Sequence, residues 1–361
     1  MNVERISNYF DNLEGQITLG IDGFVDEVWQ VLSKRTNRTD YKLFDKMRDF
    51  AKSVHDCGEG GYANEIIRKR RSYGGFTANT GKAVGKLGGN PTLIGMFGKE
   101  SVDQVFREFQ ETYVAISVAD PAICQIFEFT DGKLMLPYIE ETMDFNWSTL
   151  IAALPDKKLA KALDADIVAI GYWSQIPAFD DLIVKLCENY LITGRCRRMF
   201  FDFADIRKRD QQSLEHTLKI LADLNPQMPM TLSLNEHEAA LLFSYYGRNF
   251  NWEKSENAEK DVDYVRQRTG LDELIVHTPY FAVASTINEG TAIVLQQYCK
   301  NPIITTGAGD NFNGGYLAAS LGQGQLSLEE RLFVGNATTG FYIKNGYSPN
   351  KVDLISEMRS N

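Results

Sequence analysis

One glycine-rich segment carries the strongest chemical signal in the sequence. Residues 305–315 read Thr-Thr-Gly-Ala-Gly-Asp-Asn-Phe-Asn-Gly-Gly, a turn that runs straight into a helical pattern. Glycine lets a backbone approach a ligand closely, and the N–H groups at a helix start attract anions. Asp310 could therefore accept a proton from a hydroxyl while the N–H groups of Gly307, Ala308 and Gly309 hold a phosphoryl group. The local alternative is a plain turn in which Asp310 caps the helix.

Two carboxylates follow the first apolar strand of the chain. Asp22 and Asp26 flank the point where the strand at 17–21 ends. Ligands of open α/β sheets bind beyond the carboxyl ends of the strands, and residues four apart in an extended chain share a face. The two side chains could hold sugar hydroxyls. The alternative is that they only form a turn.

Two more segments combine a turn with polar side chains. Gly74 and Gly75 open a helix whose first turn holds Asn79, which is either an amide for a ligand or part of an ordinary strand-to-helix turn. Asn235 and Glu238 follow the apolar strand 230–234 and could organise a hydrated Mg²⁺ beside phosphates, or form a capping box. No GxxxxGK[ST] or GxGxxG motif follows a candidate strand, which excludes a P-loop and a Rossmann fingerprint.

Short apolar strands that alternate with amphipathic helices must position these side chains. Such strands, apolar on both faces, predict a mainly parallel sheet covered by helices. Two regions differ: 24–32 has strand character, and 114–139 reads as consecutive strands with a turn at Asp131-Gly132. The basic run Arg68–Arg71 is interpreted as a solvated helix face; the alternative is contact with an acidic substrate, because the run precedes the Gly-Gly turn.

Composition limits the partners and the compartment. The 361 residues contain 38 Lys+Arg and 48 Asp+Glu, a net charge of −10, which disfavours nucleic acid and anionic membranes as partners. No secretory signal and no apolar run long enough for a membrane helix is apparent. The five cysteines are scattered without a CxxC pair, which indicates reduced thiols and a cytoplasmic protein rather than a disulfide or zinc framework.

Together and in this order, the segments resemble the ribokinase-like, or PfkB-type, carbohydrate kinase family over about residues 19–346. Residues 305–315 are similar to its C-terminal signature, in which the aspartate is the catalytic base. The Gly74-Gly75 turn with Asn79 resembles its substrate motif. Residues 235–238 resemble its Asn-x-x-Glu element, which is linked to Mg²⁺ and phosphate, and residues 335–337 resemble the helix that lines its nucleotide pocket.

The resemblance implies a three-layer αβα fold with a mainly parallel central sheet and a small β-strand lid. It implies one kinase domain over residues 1–361, with lid strands from about 24–35 and 112–145, and a homodimer formed through the lid. The implied reaction moves the γ-phosphoryl group of ATP, with Mg²⁺, to a hydroxyl of a small sugar-like substrate. The expected residues are Asp310, Gly307, Ala308 and Gly309 for catalysis; Asp22, Asp26, Gly74, Gly75 and Asn79 for the substrate; Asn235, Thr278, Thr306 and Asn336 for the nucleotide; and Glu238, through water, for the metal.

Departures from the family pattern leave alternatives open. Ile304 stands where family members often have an aspartate of a monovalent-cation site, so dependence on such a cation is undecided. Residues 277–282 differ from the family's loop beside the nucleotide, which keeps a donor other than ATP open. The other functions considered are a nucleoside or vitamin-like alcohol kinase of the same fold, and a sugar- or nucleotide-binding regulator without turnover. The sequence does not identify the acceptor.

Overall fold

Strands and helices alternate along the chain in the computed structural model, which describes residues 1–322 and 326–360; residue 361, the end of the predicted domain, lies outside it. The strands are β1 (Ile17–Gly20), β2 (Phe24–Arg35), β3 (Tyr41–Leu43), β4 (Ile66–Gly74), β5 (Pro91–Gly95), β6 (Val114–Ser117), β7 (Ala122–Phe129), β8 (Gly132–Tyr138), β9 (Ile167–Gly171), β10 (Arg198–Asp202), β11 (Met230–Asn235), β12 (Glu273–His277), β13 (Phe281–Thr286) and β14 (Gly290–Leu295). The helices are α1 (Val3–Asp11), α2 (Met47–Asp56), α3 (Phe76–Lys86), α4 (Arg107–Thr112), α5 (Glu140–Met143), α6 (Trp147–Ala153), α7 (Asp156–Ala162), α8 (Phe179–Leu186), α9 (Gln211–Leu224), α10 (Glu236–Tyr245), α11 (Ala258–Thr269), α12 (Ala308–Ser320), α13 (Leu328–Asn345) and α14 (Lys351–Ser360).

The large sheet has nine strands in the order β14-β13-β12-β11-β10-β9-β1-β5-β6. The strands from β12 to β6 are all parallel to their neighbours, while β13 and β14 continue the sheet as an antiparallel hairpin. The central strand β9 is buried along its whole length, because helices cover both faces of the sheet. The predicted fold class is therefore confirmed.

Alternate residues of the interior strands pack into two apolar cores on opposite faces of the large sheet. Val168 and Ile170 of β9 pack into one core with the helices from α6 to α11. Ile167 and Ala169 of the same strand pack into the other with α3, α4, α12 and α13. This alternation follows from the two-residue period of a strand. It fixes α12, the helix that begins with the glycine-rich turn, against the sheet.

The small sheet contains β2, β3, β4, β7 and β8, with β2 at its centre. Two sequence interpretations are corrected here. The basic run Arg68–Arg71 lies in β4, paired with β2, and not on a helix; because β4 is half-exposed, it lacks the apolar alternation that marks a strand. The predicted strand at 114–117 exists as β6, but it pairs with β5 at the edge of the large sheet.

Helices α3 and α12 pack closely enough that a side chain at one glycine would have no room. A Cβ atom added at Gly314 would lie 2.4 Å from the Cβ of Ala83 and 3.0 Å from the carbonyl oxygen of Thr80. This contact fixes the separation of α12 and α3 near the middle of both helices. Within residues 1–322 and 326–360, no helix has the length and apolar character needed to cross a membrane.

Replacing Gly314 with alanine should destabilise the protein, because the added methyl group forces α3 and α12 apart. We expect a loss of about 1–3 kcal/mol in the free energy of unfolding, as for other overpacked sites. The matched control is Gly340→Ala in α13, where the nearest atom to the new Cβ is 3.5 Å away. That variant should be neutral or gain up to about 1 kcal/mol from helix propensity. Urea unfolding of both variants measures the difference, and equal effects would contradict the packing argument.

Candidate active site

Polar side chains from several strands and helices meet at the carboxyl edge of the large sheet. Asp22 follows β1, while Asp202, Asn235 and His277 are the last residues of β10, β11 and β12. The carboxyl ends of neighbouring parallel strands lie at one edge, and ligands of α/β sheets bind there. The first turn of α12 begins at the same edge, so its N–H groups are available to an anion.

Asp310 lies in the first turn of α12, and its carboxylate is tied to α3. Asn79 Nδ2 donates to Asp310 Oδ2 over 2.8 Å. Burial, and after it the charge of Asp202, raises the pKa of the Asp310 carboxyl to about 8. A carboxyl group with a pKa so close to neutrality is suited to exchanging a proton with a bound hydroxyl.

The glycines before Asp310 leave room for the backbone to turn. Gly307 is the N-cap residue of α12 and has φ 82°, in the left-handed region that favours glycine. A Cβ atom on Gly309 would lie 3.1 Å from the ring of His277. That ring stacks on Phe312 with centroids 4.7 Å apart, and burial lowers the pKa of His277 to about 4. The residue that departs from the family loop is therefore a neutral packing group beside the turn.

The larger of two cavities at this edge has a volume of about 540 Å³. Its walls come from α10, the loop after β12, the turn before α12, and α13. Seven of the predicted residues line the cavity, together with Thr339 of α13: Asn235, Glu238, Thr278, Gly307, Ala308, Gly309 and Asp310. A cavity of this size, with the N-terminus of α12 at one end, can hold a molecule as large as a nucleotide.

A smaller cavity of about 410 Å³ lies between the small sheet and the start of α3 and α12. Asp26, Asn79 and Thr306 line it, together with the cations Arg70 and Lys133. Asp310 lines the larger cavity and is hydrogen-bonded to Asn79 in the smaller one. The carboxylate of Asp310 thus lies at the boundary between the two cavities, where a group could pass from one bound molecule to another.

Asp22 and Asp26, the two carboxylates that follow the first strand, occupy different positions. Asp22 is fully buried, and its Oδ1 accepts from the N–H and the hydroxyl of Thr77 over 2.9 and 2.6 Å at the start of α3. Its Oδ2 has no hydrogen-bond partner. Asp26 lines the smaller cavity instead. Burial raises the pKa of each carboxyl to about 6.

Gly74 and Gly75 are required by these carboxylates. A Cβ atom on Gly74 would lie 2.8 Å from Oδ2 of Asp26, and one on Gly75 would lie 2.0 Å from Oδ2 of Asp22. Gly75 also has φ 94°, which disfavours any other residue. Because Gly74 and Gly75 have no side chains, their backbone can lie directly against the carboxylates of Asp26 and Asp22.

Hydrogen bonds around Glu238 match the capping-box alternative. Asn235 Oδ1 accepts from the N–H groups of His237 and Glu238, and Glu238 Oε2 accepts from the N–H of Asn235 over 2.9 Å. Glu238 is nevertheless buried, and burial together with the charge of Asp202 raises the pKa of its carboxyl well above the usual range. A cation near this pair of carboxylates would relieve their repulsion.

The remaining predicted nucleotide residues are not all in one cavity. Thr278 lines the larger cavity, and its hydroxyl accepts from two N–H groups of its own turn. Thr306 lines the smaller cavity, where Lys133 Nζ approaches its hydroxyl to 3.4 Å. Asn336 lines a third cavity of about 390 Å³, and its Nδ2 donates to the carbonyl of Val294. Gln296 lines both the third and the larger cavity.

Sequence reasoning missed Asp202, Tyr172 and Lys133 at this edge, and it assigned Arg70 to a solvated helix face. Asp202 accepts from the N–H of Ala204 and from Asn313 Nδ2 over 2.8 and 2.7 Å, and it lines the larger cavity. It ends an apolar strand, which is the same signal that identified Asp22. Tyr172, after β9, has φ 67° in the left-handed region and lines the same cavity. Arg70 and Lys133 belong to the small sheet, and no local pattern showed which face they occupy.

Comparisons with known proteins identify the family and the fold of the chain. The family model described as prokaryotic ketohexokinase matches residues 3–360. A ketohexokinase of Haloferax volcanii is 26% identical over 346 residues, covering 94% of this chain and 90% of the relative. Among solved structures, a nucleoside kinase of Methanocaldococcus jannaschii, described as an archaeal member of the ribokinase family, has a TM-score of 0.61 at 18% identity and covers 96% of this chain and 98% of its own. A ribokinase II of E. coli, in complex with ATP and Mg²⁺, has a TM-score of 0.64 at 16% identity and covers 97% and 100%.

The raised pKa of Asp310 should make the stability of the protein depend on pH. Between the usual carboxyl pKa, about 4, and the value near 8, the unfolded chain loses a proton that the folded chain keeps. The free energy of unfolding therefore falls as the pH rises through this range. Asp310→Asn has no such proton, so it should be more stable than the parent near pH 8, with the difference shrinking toward about pH 4. Urea unfolding at several pH values measures this, and a difference independent of pH would contradict the assignment.

Proposed function

Because the chain belongs to the prokaryotic ketohexokinase family and is an ATP-dependent carbohydrate kinase, we propose that it phosphorylates a hydroxyl of a ketohexose, with Asp310 as the base. The observation that carries this proposal is the position of the Asp310 carboxylate at the boundary between the two cavities. The nucleotide occupies the larger cavity and the sugar occupies the smaller one. Asp26, Asn79 and the Gly74-Gly75 backbone orient the sugar, and Asp22 holds the start of α3 in place.

The chemistry follows from this arrangement. Asp310 accepts the proton of the sugar hydroxyl as its oxygen attacks the γ-phosphorus of ATP, and the bond to the leaving ADP oxygen breaks. The N–H groups in the turn from Gly307 to Asp310, including those of Ala308 and Gly309, stabilise the negative charge on the transferred group. Helix α12 is fixed by its packing on α3, so these donors need no rearrangement during the reaction.

The acidic wall of the larger cavity fits a hydrated Mg²⁺. Among the described residues no group of three or more side chains is arranged to bind a metal directly. Glu238, Asp202 and Asp205 would hold the ion through water, since all three line the larger cavity. Burial disfavours the charge on the Glu238 carboxylate, so a nearby cation would stabilise it. When bound, Mg²⁺ offsets the negative charge of the donor phosphates.

The nucleotide base would extend past Gln296 toward the third cavity. Gln296 Oε1 and Asn336 Oδ1 are buried there without a hydrogen-bond partner, and each can accept from an exocyclic amino group such as that of adenine. Asn235 and Thr278 lie along the path to the phosphates, and Thr306 lies on the sugar side of the turn. Ile304 also lines the sugar cavity and offers only a backbone group to a monovalent cation, whose role stays open.

The small sheet acts in this proposal as the lid of a single kinase domain. Its strands β2, β4, β7 and β8 cover the sugar cavity, and Lys133 bridges the lid to the turn before α12. Exclusion of water by the lid would limit hydrolysis of ATP. A cytoplasmic location is also proposed, on the basis of five cysteines that are all free thiols.

Turnover on an acceptor panel tests the proposed function. The parent enzyme with ATP and Mg²⁺ should release ADP with one or more of fructose, tagatose, sorbose and psicose, and slowly or not at all with glucose or nucleosides. Asp310→Asn should lower kcat on the best acceptor by about 10²–10⁴-fold, because proton transfer is lost, without a comparable loss of nucleotide affinity. The control is Asp353→Asn, in the first turn of α14. Near-normal turnover by Asp310→Asn, or a nucleoside as the best acceptor, would overturn the proposal.

We also propose a homodimer formed through the lid. Strand β8 is at the edge of the small sheet, where its N–H and C=O groups are open to another strand. Its side chains Leu136 and Tyr138 are 51% and 56% exposed, which is unusual for apolar groups on a free edge. Sedimentation equilibrium should show a dimer for the parent and a monomer for Leu136→Lys. A monomeric parent would rule out this interface.

A further inference from the structure

A row of three aromatic rings leads from the edge of an apolar core to the wall of the larger cavity. Trp252 and Tyr280 pack against the core, and their ring centroids are 6.1 Å apart. Tyr280 in turn stacks on Tyr298, with centroids 5.0 Å apart and an angle of 8° between the ring planes. A nearly parallel, offset stack is one of the preferred arrangements of two aromatic rings. The row therefore supports the ring of Tyr298 from behind.

Tyr298 is the member of this row that faces the cavity. Its side chain lines the larger cavity, whereas those of Tyr280 and Trp252 do not. Because Tyr280 covers one face of the Tyr298 ring, the face turned toward the cavity is the opposite one. The side chain of Tyr298 is 49% exposed, so a ligand in the cavity can reach that face.

Backbone hydrogen bonds hold the segment that carries Tyr298 at both of its ends. The N–H of Gln296 donates to the carbonyl of Tyr280 over 2.7 Å, and the N–H of Ile303 donates to the carbonyl of Ile343 in α13 over 2.8 Å. Tyr280 belongs to residues 277–282, where the chain departs from the family's loop. The ring of Tyr298 is therefore already ordered before a ligand binds, which lowers the entropy cost of binding.

The surroundings of Tyr298 suit a flat ring system with polar atoms at its edge. Pro302 and Ile343 add apolar side chains to the lining of the same cavity. Gln296, two residues before Tyr298, lines both the larger and the third cavity, and its Oε1 is buried without a hydrogen-bond partner. A purine has both features, since its face stacks on an aromatic ring and its edge carries hydrogen-bonding groups. A sugar has no such π face.

We propose that the purine ring of the phosphoryl donor stacks on the cavity-facing side of Tyr298, which binds the donor without selecting among purines. This rests on the proposed function for the placement of the nucleotide in the larger cavity. Every purine has a π face, so the stack accepts adenine and guanine alike. The edge of the base faces Gln296 and Asn336, whose unpartnered oxygens favour the amino group of adenine over the carbonyl oxygen of guanine.

Calorimetry of nucleotide binding tests the stack. The parent protein and its variants are titrated, with Mg²⁺ present, with ATP, with GTP and with inorganic tripolyphosphate, which has the phosphates but no base. Tyr298→Ala should raise the dissociation constants for ATP and GTP by about tenfold to a hundredfold, because the base loses its stacking partner. The ratio of these two constants should stay the same, and so should the dissociation constant for tripolyphosphate.

Further variants separate stacking from other roles of the side chain. Tyr298→Phe keeps the aromatic ring and should bind ATP as the parent does, whereas Tyr298→Leu keeps apolar bulk without a π face and should show most of the loss. Tyr280→Leu removes the support behind the ring and should weaken ATP binding less than Tyr298→Ala does. The control is Tyr41→Ala, which removes another partly exposed tyrosine, on β3 and outside the three cavities, and should leave nucleotide binding unchanged.

The binding measurement can fail independently of the proposed function. If no ketose is phosphorylated but Tyr298→Ala weakens ATP and GTP alike, the proposed function fails and the stack stands. If Tyr298→Ala binds ATP as tightly as the parent, the inference is overturned while the kinase assignment stays intact. An equal loss of tripolyphosphate binding, a changed ratio of ATP to GTP affinity, or a parent that does not bind GTP would also overturn it. Urea unfolding of each variant confirms that the folded protein is compared.

Discussion

The hydrogen bond between Asn79 and Asp310 is the contact on which the site depends. It joins the first turns of two helices, α3 and α12, whose glycine contact at Gly314 sets their separation. If the two helices moved apart, the Asp310 carboxylate would lose its hydrogen bond to Asn79, which lowers its pKa, and would keep the charges of Asp202, Asp22 and Asp26, which raise it. The packing of two helices on one face of the sheet therefore determines the position of the Asp310 carboxylate, the proposed proton acceptor. Structure and chemistry are coupled here through a single glycine.

Electrostatic strain is concentrated around this contact. Asp22 and Glu238 are buried, and Asp202 and Asp310 are half-buried, at one edge of the sheet, and burial raises the pKa of each carboxyl. Buried carboxylates reduce stability when they ionise, so their collection in one place is expected only where a ligand or an ion compensates the charge. The phosphates of a nucleotide are themselves anionic and would add to this charge. In the proposed function, a cation held by water on the acidic wall and the N–H groups of α12 would together compensate the carboxylates and the phosphates.

The large sheet and much of its carboxyl edge could be predicted from the sequence, because both follow local rules. Short strands buried on both faces identify a parallel sheet, and the carboxyl ends of its strands bring Asp22 and Asn235 to one edge. Asp310 reaches this edge through the glycine-rich turn at the start of α12. Thr306 and Asn336 were assigned to the nucleotide by resemblance alone, and the structure places them in two other cavities. Their position depends on how α12, α13 and the loop after β14 pack, which no local pattern encodes.

Strand β4 shows more clearly what could not be predicted from the sequence. Four consecutive basic residues have no periodicity of two, so Arg68–Arg71 resembled a solvated helix; what makes them a strand is pairing with β2, a segment about forty residues away. The bulge that sends Arg68 to one face and Arg70 to the other is equally invisible in the sequence.

That bulge decides which charges enter the acceptor cavity. The large sheet supplies mostly carboxylates to the edge, whereas the small sheet supplies the cations Arg70 and Lys133. In the proposed function, the core fold provides proton transfer and phosphate binding, and the small sheet covers the cavity assigned to the sugar. Acceptor preference could then change by substitutions in a half-exposed sheet, where single replacements cost little stability, without disturbing the contact between α3 and α12.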